Sequence, residues 1–352
     1  MKKNKPIAIL VNDVHLNKDN GELVKNTLFQ VTDYAIRNKI SCIIFGGDIF
    51  TNRSGQPLSC LLNFKEILEE YMFPFSQIHI IPGNHDKTDP DCDESYLDVF
   101  QNYQNIWLHR GAEMSNLIEG CEFVFIPYYS DEKWIAEYKR ISEYKLGGKH
   151  NFLITHIGIN GVRNNDGTEV DGSIRNDLFV DYDAVFVGHY HDRSKVGKNV
   201  YYTGSLYQGN YGEDIDKGFT VIYDDGTFEY VNCKFPHYIK EKINASDRET
   251  LHNLIEKYSG EEYDHIRFEI VGSRVECEKI SSKDLELLGI DCKFKTLEQT
   301  EAVNISEEEN VSCYNKKTIM RDFLDFCKEN DINGKKMQYG LKLIKQIDYV
   351  ES

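Results

Sequence analysis

Seven side chains able to hold a metal ion, and an eighth able to move a proton, lie between Asp13 and His191. Asp13 and His15 stand in Asp13-Val14-His15, Asp48 closes Gly46-Gly47-Asp48, and Asn84 and His85 occur in Gly83-Asn84-His85-Asp86. His156 follows Thr155, and His189 and His191 alternate in Gly188-His189-Tyr190-His191. Carboxylate, imidazole and amide oxygen together suit a borderline divalent ion such as Mn²⁺, Fe²⁺ or Zn²⁺, and nothing in the set demands thiolate chemistry. Hydrolysis of a phosphodiester needs a water made nucleophilic at neutral pH and charge neutralisation on the attacking and leaving oxygens. Two cations roughly 3.5–4 Å apart supply both. On this reading Asp13, His15 and His191 hold one ion, Asn84, His156 and His189 hold the other, and Asp48 bridges them. His85, beside a ligand but not itself one, is the expected general acid for the leaving oxygen.

These residues must be delivered to one place, and each stretch follows an apolar run: Ile7 to Val11, Cys42 to Phe45, Ile78 to Ile81, Phe152 to Ile154 and Ala184 to Val187. Runs of that length suit strands buried on both faces, and open α/β sheets place ligands just beyond the carboxyl ends of their strands. Each motif alone has a plainer explanation. A single Asp-x-His serves equally well as a strand-end hydrogen bond, and turn chemistry accounts for Gly83 and Asn84. Two alternating histidines face the same way on any extended segment. The conjunction of all five, each closing its own apolar strand, is what points to a metal centre. His79, His109, His150, His237, His252 and His265 lack that context and read as structural or solvent-exposed.

At 352 residues with 40% hydrophobic content, the chain has the material for roughly two domains by the prior of about 150 residues each. The run Ile7 to Val11 is too short for a signal-peptide core or a membrane span, so a soluble cytoplasmic protein without membrane association is expected. Nine cysteines with no Cys-x-x-Cys pair argue against a disulfide framework and a zinc knuckle. The formal charge of −17 opposes a nucleic-acid substrate, because phosphate affinity normally comes from clustered Lys and Arg. Bound divalent cations would cancel part of that charge. Arg163, Arg175, Arg193, Lys195 and Lys198 flank the last two motifs as local basic candidates. No Gly-x-x-x-x-Gly-Lys-Ser/Thr loop occurs, so any dependence on ATP must come from another chain.

Residues 1–235 alternate short apolar strands with amphipathic segments (Glu22 to Asn38, Leu58 to Tyr71) and read as a layered α/β domain. It ends in the β-type segments Val200 to Thr203, Gly218 to Tyr223 and Thr227 to Cys233, the last two joined by the turn signal Asp224-Asp225-Gly226. Residues 236–297 read as a small α+β unit, with a helix over Asp247 to Tyr258 capped by Ser246 or Asp247 and a strand over Ile266 to Val271. The acidic stretch 298–312 reads as a linker. Residues 313–352 carry two short amphipathic helices, Lys317 to Asn330 and Lys336 to Ile347, whose apolar residues (Ile319, Phe323, Leu324, Phe326; Met337, Leu341, Leu343, Ile344) require something to pack on.

Asp-x-His, Gly-Asp, Gly-Asn-His-Asp, a lone His and Gly-His-x-His, in this order over residues 7–192, resemble the calcineurin-like metallophosphoesterase superfamily. Gly46-Gly47-Asp48-Ile49-Phe50, Ile81-Pro82-Gly83-Asn84-His85-Asp86 and Tyr202-Thr203-Gly204-Ser205-Leu206 look most like the nuclease subunit of SbcD-type DNA repair complexes. The stretch from Tyr202 through Gly218-Phe219 is similar to the recombination nuclease subunits of T-even-like phages. The resemblance implies a β-sandwich flanked by helices with a small capping, DNA-binding domain over the site. It further implies manganese-dependent exo- or endonuclease activity on DNA ends in repair or recombination, with Mg²⁺, Fe²⁺ or Zn²⁺ as alternative ions. Expected partners are DNA, an SMC-like ATPase of the SbcC type bound through the C-terminal helices, and a second copy of the chain bound through the two amphipathic segments. A viral member would work in the host cytoplasm. One position departs from the pattern: three residues after Asp48, where cellular nucleases of this type carry His and many phosphatases carry Asp, stands Thr51. A threonine cannot hold a proton near neutral pH, so altered exonuclease activity, or an altered choice between exo and endo modes, is expected with metal binding intact. Two other readings compete: a phosphatase or small phosphodiesterase, which the acidic charge suits, and a non-catalytic scaffold, which has no reason to keep seven ligands.

Overall fold

The computed structural model describes residues 4–296, apart from 73, 119, 163–167, 171 and 259–264, together with 323, 324, 327 and 337. Five short strands come first in building the site: β1 (Pro6–Val11), β2 (Cys42–Phe45) and β3 (Gln77–Ile80), then β7 (His150–His156) and β8 (Ala184–Gly188). They belong to two different sheets. One sheet has the order β12-β11-β1-β2-β3-β4, with β4 Ile106–Leu108, β11 Gly218–Tyr223 and β12 Phe228–Asn232. The other has the order β5-β6-β7-β8-β10-β9, with β5 Glu113–Ile118, β6 Cys121–Ile126, β9 Ser194–Val196 and β10 Val200–Tyr202.

Both faces of each sheet are covered, which is why apolar residues dominate the site-forming strands. Successive side chains alternate between faces. In β1, Ala8 and Leu10 enter the layer between the sheets with Phe123, Phe125, Phe152 and Phe186, whereas Ile9 and Val11 point outward. That outer face is covered by α1 (Gly21–Asn38) and α2 (Leu58–Glu70), through Val24, Leu28, Val31, Phe64 and Ile67. On the second sheet, Val124, Ile126, Leu153 and Val185 pack under α3 (Asp131–Ser142), whose Trp134 is fully buried and donates from Nε1 to Thr155 Oγ1 at 2.9 Å. The result is the helix–sheet–sheet–helix sandwich expected from the sequence.

Residues 238–296 form a separate three-stranded sheet: β13 (Tyr238–Asn244), β14 (His265–Gly272) and β15 (Ile290–Thr296), all parallel. Helices α4 (Arg248–Tyr258), α5 (Arg274–Cys277) and α6 (Ser282–Leu287) accompany it, with their own core around Ile243, Leu251, Phe268 and Ile270. Asp247 is the capping residue of α4, its carboxylate accepting from Thr250 N at 3.0 Å. This sheet belongs to the same compact unit as the sandwich, Met1–Leu297, and a second unit spans Glu298–Ser352. In that second unit Phe323, Leu324, Cys327 and Met337 are helical. The acidic segment 298–312, Ile319, Phe326, Leu341, Leu343, Ile344 and Arg163 lie outside the described residues. No described helix is long and apolar enough to cross a membrane, and the eight described cysteines are free thiols.

Candidate metal centre

The carboxyl ends of β1, β2 and β3 meet those of β7 and β8 along one edge of the sandwich, and their loops bring all eight expected residues together. Asp13, His15 and His191 present ligand atoms that all lie within 4.8 Å of one another. His15 Nε2 is 3.0 Å from His191 Nε2 and 3.8 Å from Asp13 Oδ1. On the other side, Asn84 Oδ1 is 3.1 Å from His156 Nε2 and 2.8 Å from His189 Nδ1. Asp48 lies between the groups: its Oδ2 is 3.7 Å from His15 Nε2 and 3.3 Å from His156 Nε2. Its Oδ1 accepts from the His85 amide at 2.8 Å.

Local backbone geometry shows how the sequence achieves this. Among the described residues, five other than glycine have positive φ, and four of them are Asp13 (51°), His15 (48°), Asp48 (52°) and His189 (93°). Residues held in that region cost of order 1–3 kcal/mol each and persist only where surrounding structure over-determines them. Here the loops are clamped to one another by Asp13 N to Gly47 O at 3.1 Å, His15 N to Asp48 O at 3.0 Å, and His189 N to Asp13 Oδ1 at 3.1 Å. Gly83 is required by close approach, because a Cβ there would fall 2.2 Å from Asp48 Oδ1 and 2.3 Å from Asp48 N.

The donor set fits divalent cations. His156 Nδ1 is 3.0 Å from Gly46 O and His191 Nδ1 is 2.9 Å from Glu213 Oε1, so both rings are anchored on Nδ1 and turn Nε2 toward the centre. Each Nε2 then faces other acceptors. Hydrogen bonding alone would turn the Asn84 amide around, donating to the two imidazoles and accepting from Arg53. Its oxygen points inward instead, as a cation among these groups would require. A family model described as calcineurin-like phosphoesterase matches residues 8–193, more than half of the chain. The chain belongs to that family. It is also 22% identical over 257 residues to 078R of Invertebrate iridescent virus 3, covering 70% of this chain and 71% of the relative. With 244L of Invertebrate iridescent virus 6 it shares 20% identity over 265 residues, 71% of this chain and 86% of that one. Both viral proteins carry phosphoesterase names.

In this calcineurin-like phosphoesterase, burial and charge split the histidines into two kinds. Burial pulls His15 and His189 down to about 3, so they are neutral. Burial also acts on His156, but the adjacent carboxylate of Asp48, with Asp13, overcomes it and pushes the imidazole up to about 9. His191 is likewise raised against burial, by Glu213 and Asp13. Glu213 is a residue the sequence reading missed. It accepts from His191 Nδ1, from Gly209 N at 2.9 Å and from Asn210 Nδ2 at 2.7 Å, beside the fully buried Lys217. In the sequence it lies inside the stretch from Tyr202 through Phe219 that carries the phage-nuclease resemblance, but nothing there sets it apart from Asp214 and Asp216 beside it. Asp86 closes the Gly83-Asn84-His85-Asp86 motif without being one of the ligands. Its buried carboxylate accepts from Gly83 N at 2.9 Å, Phe50 N at 3.0 Å and Ile49 N at 3.3 Å, tying the β2 loop to the β3 loop.

Thr51 does not support His85 through its side chain. The Thr51 Oγ1 donates to His15 O at 2.7 Å, and it is the main-chain carbonyl of Thr51 that accepts from His85 Nδ1. His85 Nε2 therefore faces the cleft, 4.0 Å from Asp48 Oδ2 and 3.5 Å from Arg53 Nη2. Arg53, which the sequence reading passed over, is the arginine at the mouth of the centre. Of the basic residues singled out from sequence, Arg175 pairs with Asp177 at 3.1 Å, Arg193 packs on Tyr230 and donates to Asn232 at 2.6 Å, and Lys195 lies over Tyr201. Lys198 is exposed. His79 and His109 stack on Phe125 inside the sandwich, away from the centre.

Proposed function

We propose that this phosphoesterase is a two-metal phosphodiesterase acting on DNA, the nuclease subunit of an assembly that processes DNA ends. The observation that carries the reading is the place of Asp48 Oδ2, within 3.7 Å of an imidazole from each trio. Asp13, His15 and His191 would hold one cation, Asn84, His156 and His189 the other, with Asp48 shared. Such a pair of divalent ions, manganese first among the candidates, supplies an activated water and neutralises phosphoryl oxygens. The chain's own groups do the rest. His85, fixed by the Thr51 carbonyl, keeps Nε2 at the open face, where it can donate a proton to a leaving oxygen. Arg53 adds positive charge where a phosphate would sit. Glu213 and Asp86 hold His191 and the two loops in place.

A DNA substrate is favoured over a small phosphoester by the open cleft of about 900 Å³ running from the metal centre to the first strand of the three-stranded sheet. That sheet would cap the site and share in holding DNA. The exposed apolar residues Phe29, Ile36, Leu58 and Leu62 on α1 and α2 support self-association. The amphipathic pattern of residues 313–352 supports docking on a coiled-coil ATPase. The second reading, a phosphatase or small phosphodiesterase, is favoured by the charge of −17. Turnover with Mn²⁺ of double-stranded ends, circular single strands and an aryl phosphodiester separates the two. The nuclease reading requires DNA cleavage that chelator abolishes, and turnover of the aryl ester alone would overturn it.

A further inference from the structure

We infer that the cleft contains a built platform for an unstacked nucleobase, formed by Tyr238 and His265. This rests on the phosphodiesterase reading of the metal centre and names the part of the substrate held beside it. Tyr238 and His265 line the same cleft as Asp13, His15 and His85. They occupy paired positions on the parallel strands β13 and β14, and their rings stack at 4.2 Å and 22°. The stack is braced from behind. Tyr211 meets Tyr238 edge-on at 5.0 Å, Arg267 lies 3.9 Å over Tyr211, and Arg267 donates to Asp291 at 2.6 Å through both Nε and Nη2.

The platform is tied to the catalytic half as well. Buried Gln208 accepts from Tyr238 N at 2.8 Å and donates to Tyr238 O at 3.2 Å, and its amide also donates to Glu213 O at 2.8 Å. Glu213 in turn holds His191. One hydrogen-bonded path thus fixes the distance between the ring stack and the metal centre. Of the two rings lining the cleft, His265 is the exposed one and Tyr238 the half-buried one. A flat, electron-rich ring column ending in an exposed face, connected to a phosphoester-cleaving centre, matches a base and its own phosphate better than a sugar or an aliphatic chain. A base can reach that face only when it is out of a duplex stack, so the substrate class is a single-stranded or frayed end. Stacking of this kind is tolerant of sequence.

The test uses the full chain with Mn²⁺ and two substrates that release the same p-nitrophenolate: thymidine 5′-monophosphate p-nitrophenyl ester, which carries a base, and bis(p-nitrophenyl) phosphate, which carries none. The kcat/KM ratio of the first to the second is expected to fall about tenfold in His265→Ala and Tyr238→Leu, through KM, and to recover in His265→Phe, in keeping with what one ring is worth to a stacked base. A ratio unchanged in both variants overturns the platform while leaving the phosphodiesterase reading intact. Failure of the wild-type chain to cleave either ester counts against that reading instead. Binding of a short single-stranded oligonucleotide against its abasic counterpart then still decides the platform: equal affinities overturn it, and a preference for bases lost in His265→Ala supports it.

Discussion

The main-chain carbonyl of Thr51 accepts the Nδ1 proton of His85, and the Thr51 side chain is turned away to the carbonyl of His15. A substitution at residue 51 that keeps the backbone in place should therefore keep the catalytic imidazole in place.

Thr51→Val is expected to leave kcat on an aryl phosphodiester within a few-fold of wild type, whereas His85→Ala should lower it by about 10²–10⁴, the usual worth of a positioned proton donor. Metal content by elemental analysis should not change in either. A His85→Ala protein that retains wild-type kcat would remove this residue from the chemistry.

Asp48 is expected to be indispensable to both ions. Asp48→Ala should abolish binding altogether, while His189→Ala should weaken only one of two binding steps in a calorimetric titration with Mn²⁺. Two undiminished steps in Asp48→Ala would show that the two halves do not share it.

The pH dependence of metal uptake follows from His156 and His191. His156 is raised to about 9, so in the metal-free protein it carries a proton at pH 7, and Glu213 and Asp13 raise His191 in the same direction. A cation must displace the His156 proton. Affinity should therefore rise with pH and level off above about 9, with proton release detectable in weak buffer. An affinity flat from pH 6 to 8 would contradict the protonated state of the metal-free centre.

Gly83→Ala is expected to destroy the centre without unfolding the chain, because the added methyl would strike Asp48 at 2.2–2.3 Å rather than a core residue. Circular dichroism should keep its wild-type shape while bound metal disappears.

Asp86→Asn should act mainly on stability. One of two oxygens accepting from three amides becomes an NH₂ facing donors, a loss of about 1–3 kcal/mol for a buried unsatisfied group. A melting temperature equal to wild type would show that the two loops are held together elsewhere.

The strands that carry the ligands were readable in the sequence because both sheet faces are buried. β1 and β2 show unbroken apolar runs, each followed within three residues by a ligand, Asp13 or Asp48. Strand β6 is equally buried, yet Glu122 interrupts its apolar run and no motif stands at its end, so nothing marked it as part of the second sheet. The three-stranded sheet was legible only at β14, where alternate residues are buried. In β15 nearly every residue after Ile290 is exposed or half-buried, and no periodic signal remains. Within the site, the ligands were legible by type and order. Glu213 was not, since Asp214 and Asp216 beside it look alike in the sequence and nothing marks which carboxylate meets His191. Nor was the support of His85, because a carbonyl acceptor leaves no trace in side-chain identity.

Asp13, Asp48 and Asn84 come from one sheet, and His156, His189 and His191 from the other. Each cation would thus act as a rivet through two independent plates. Sliding one plate past the other by a single strand position would dismantle the chemistry even if every helix and hydrophobic layer survived. Catalytic competence in this molecule is in that sense a gauge of how the two halves of the sandwich are aligned, and a distant substitution in the Phe-rich layer between them can silence the enzyme without approaching a ligand.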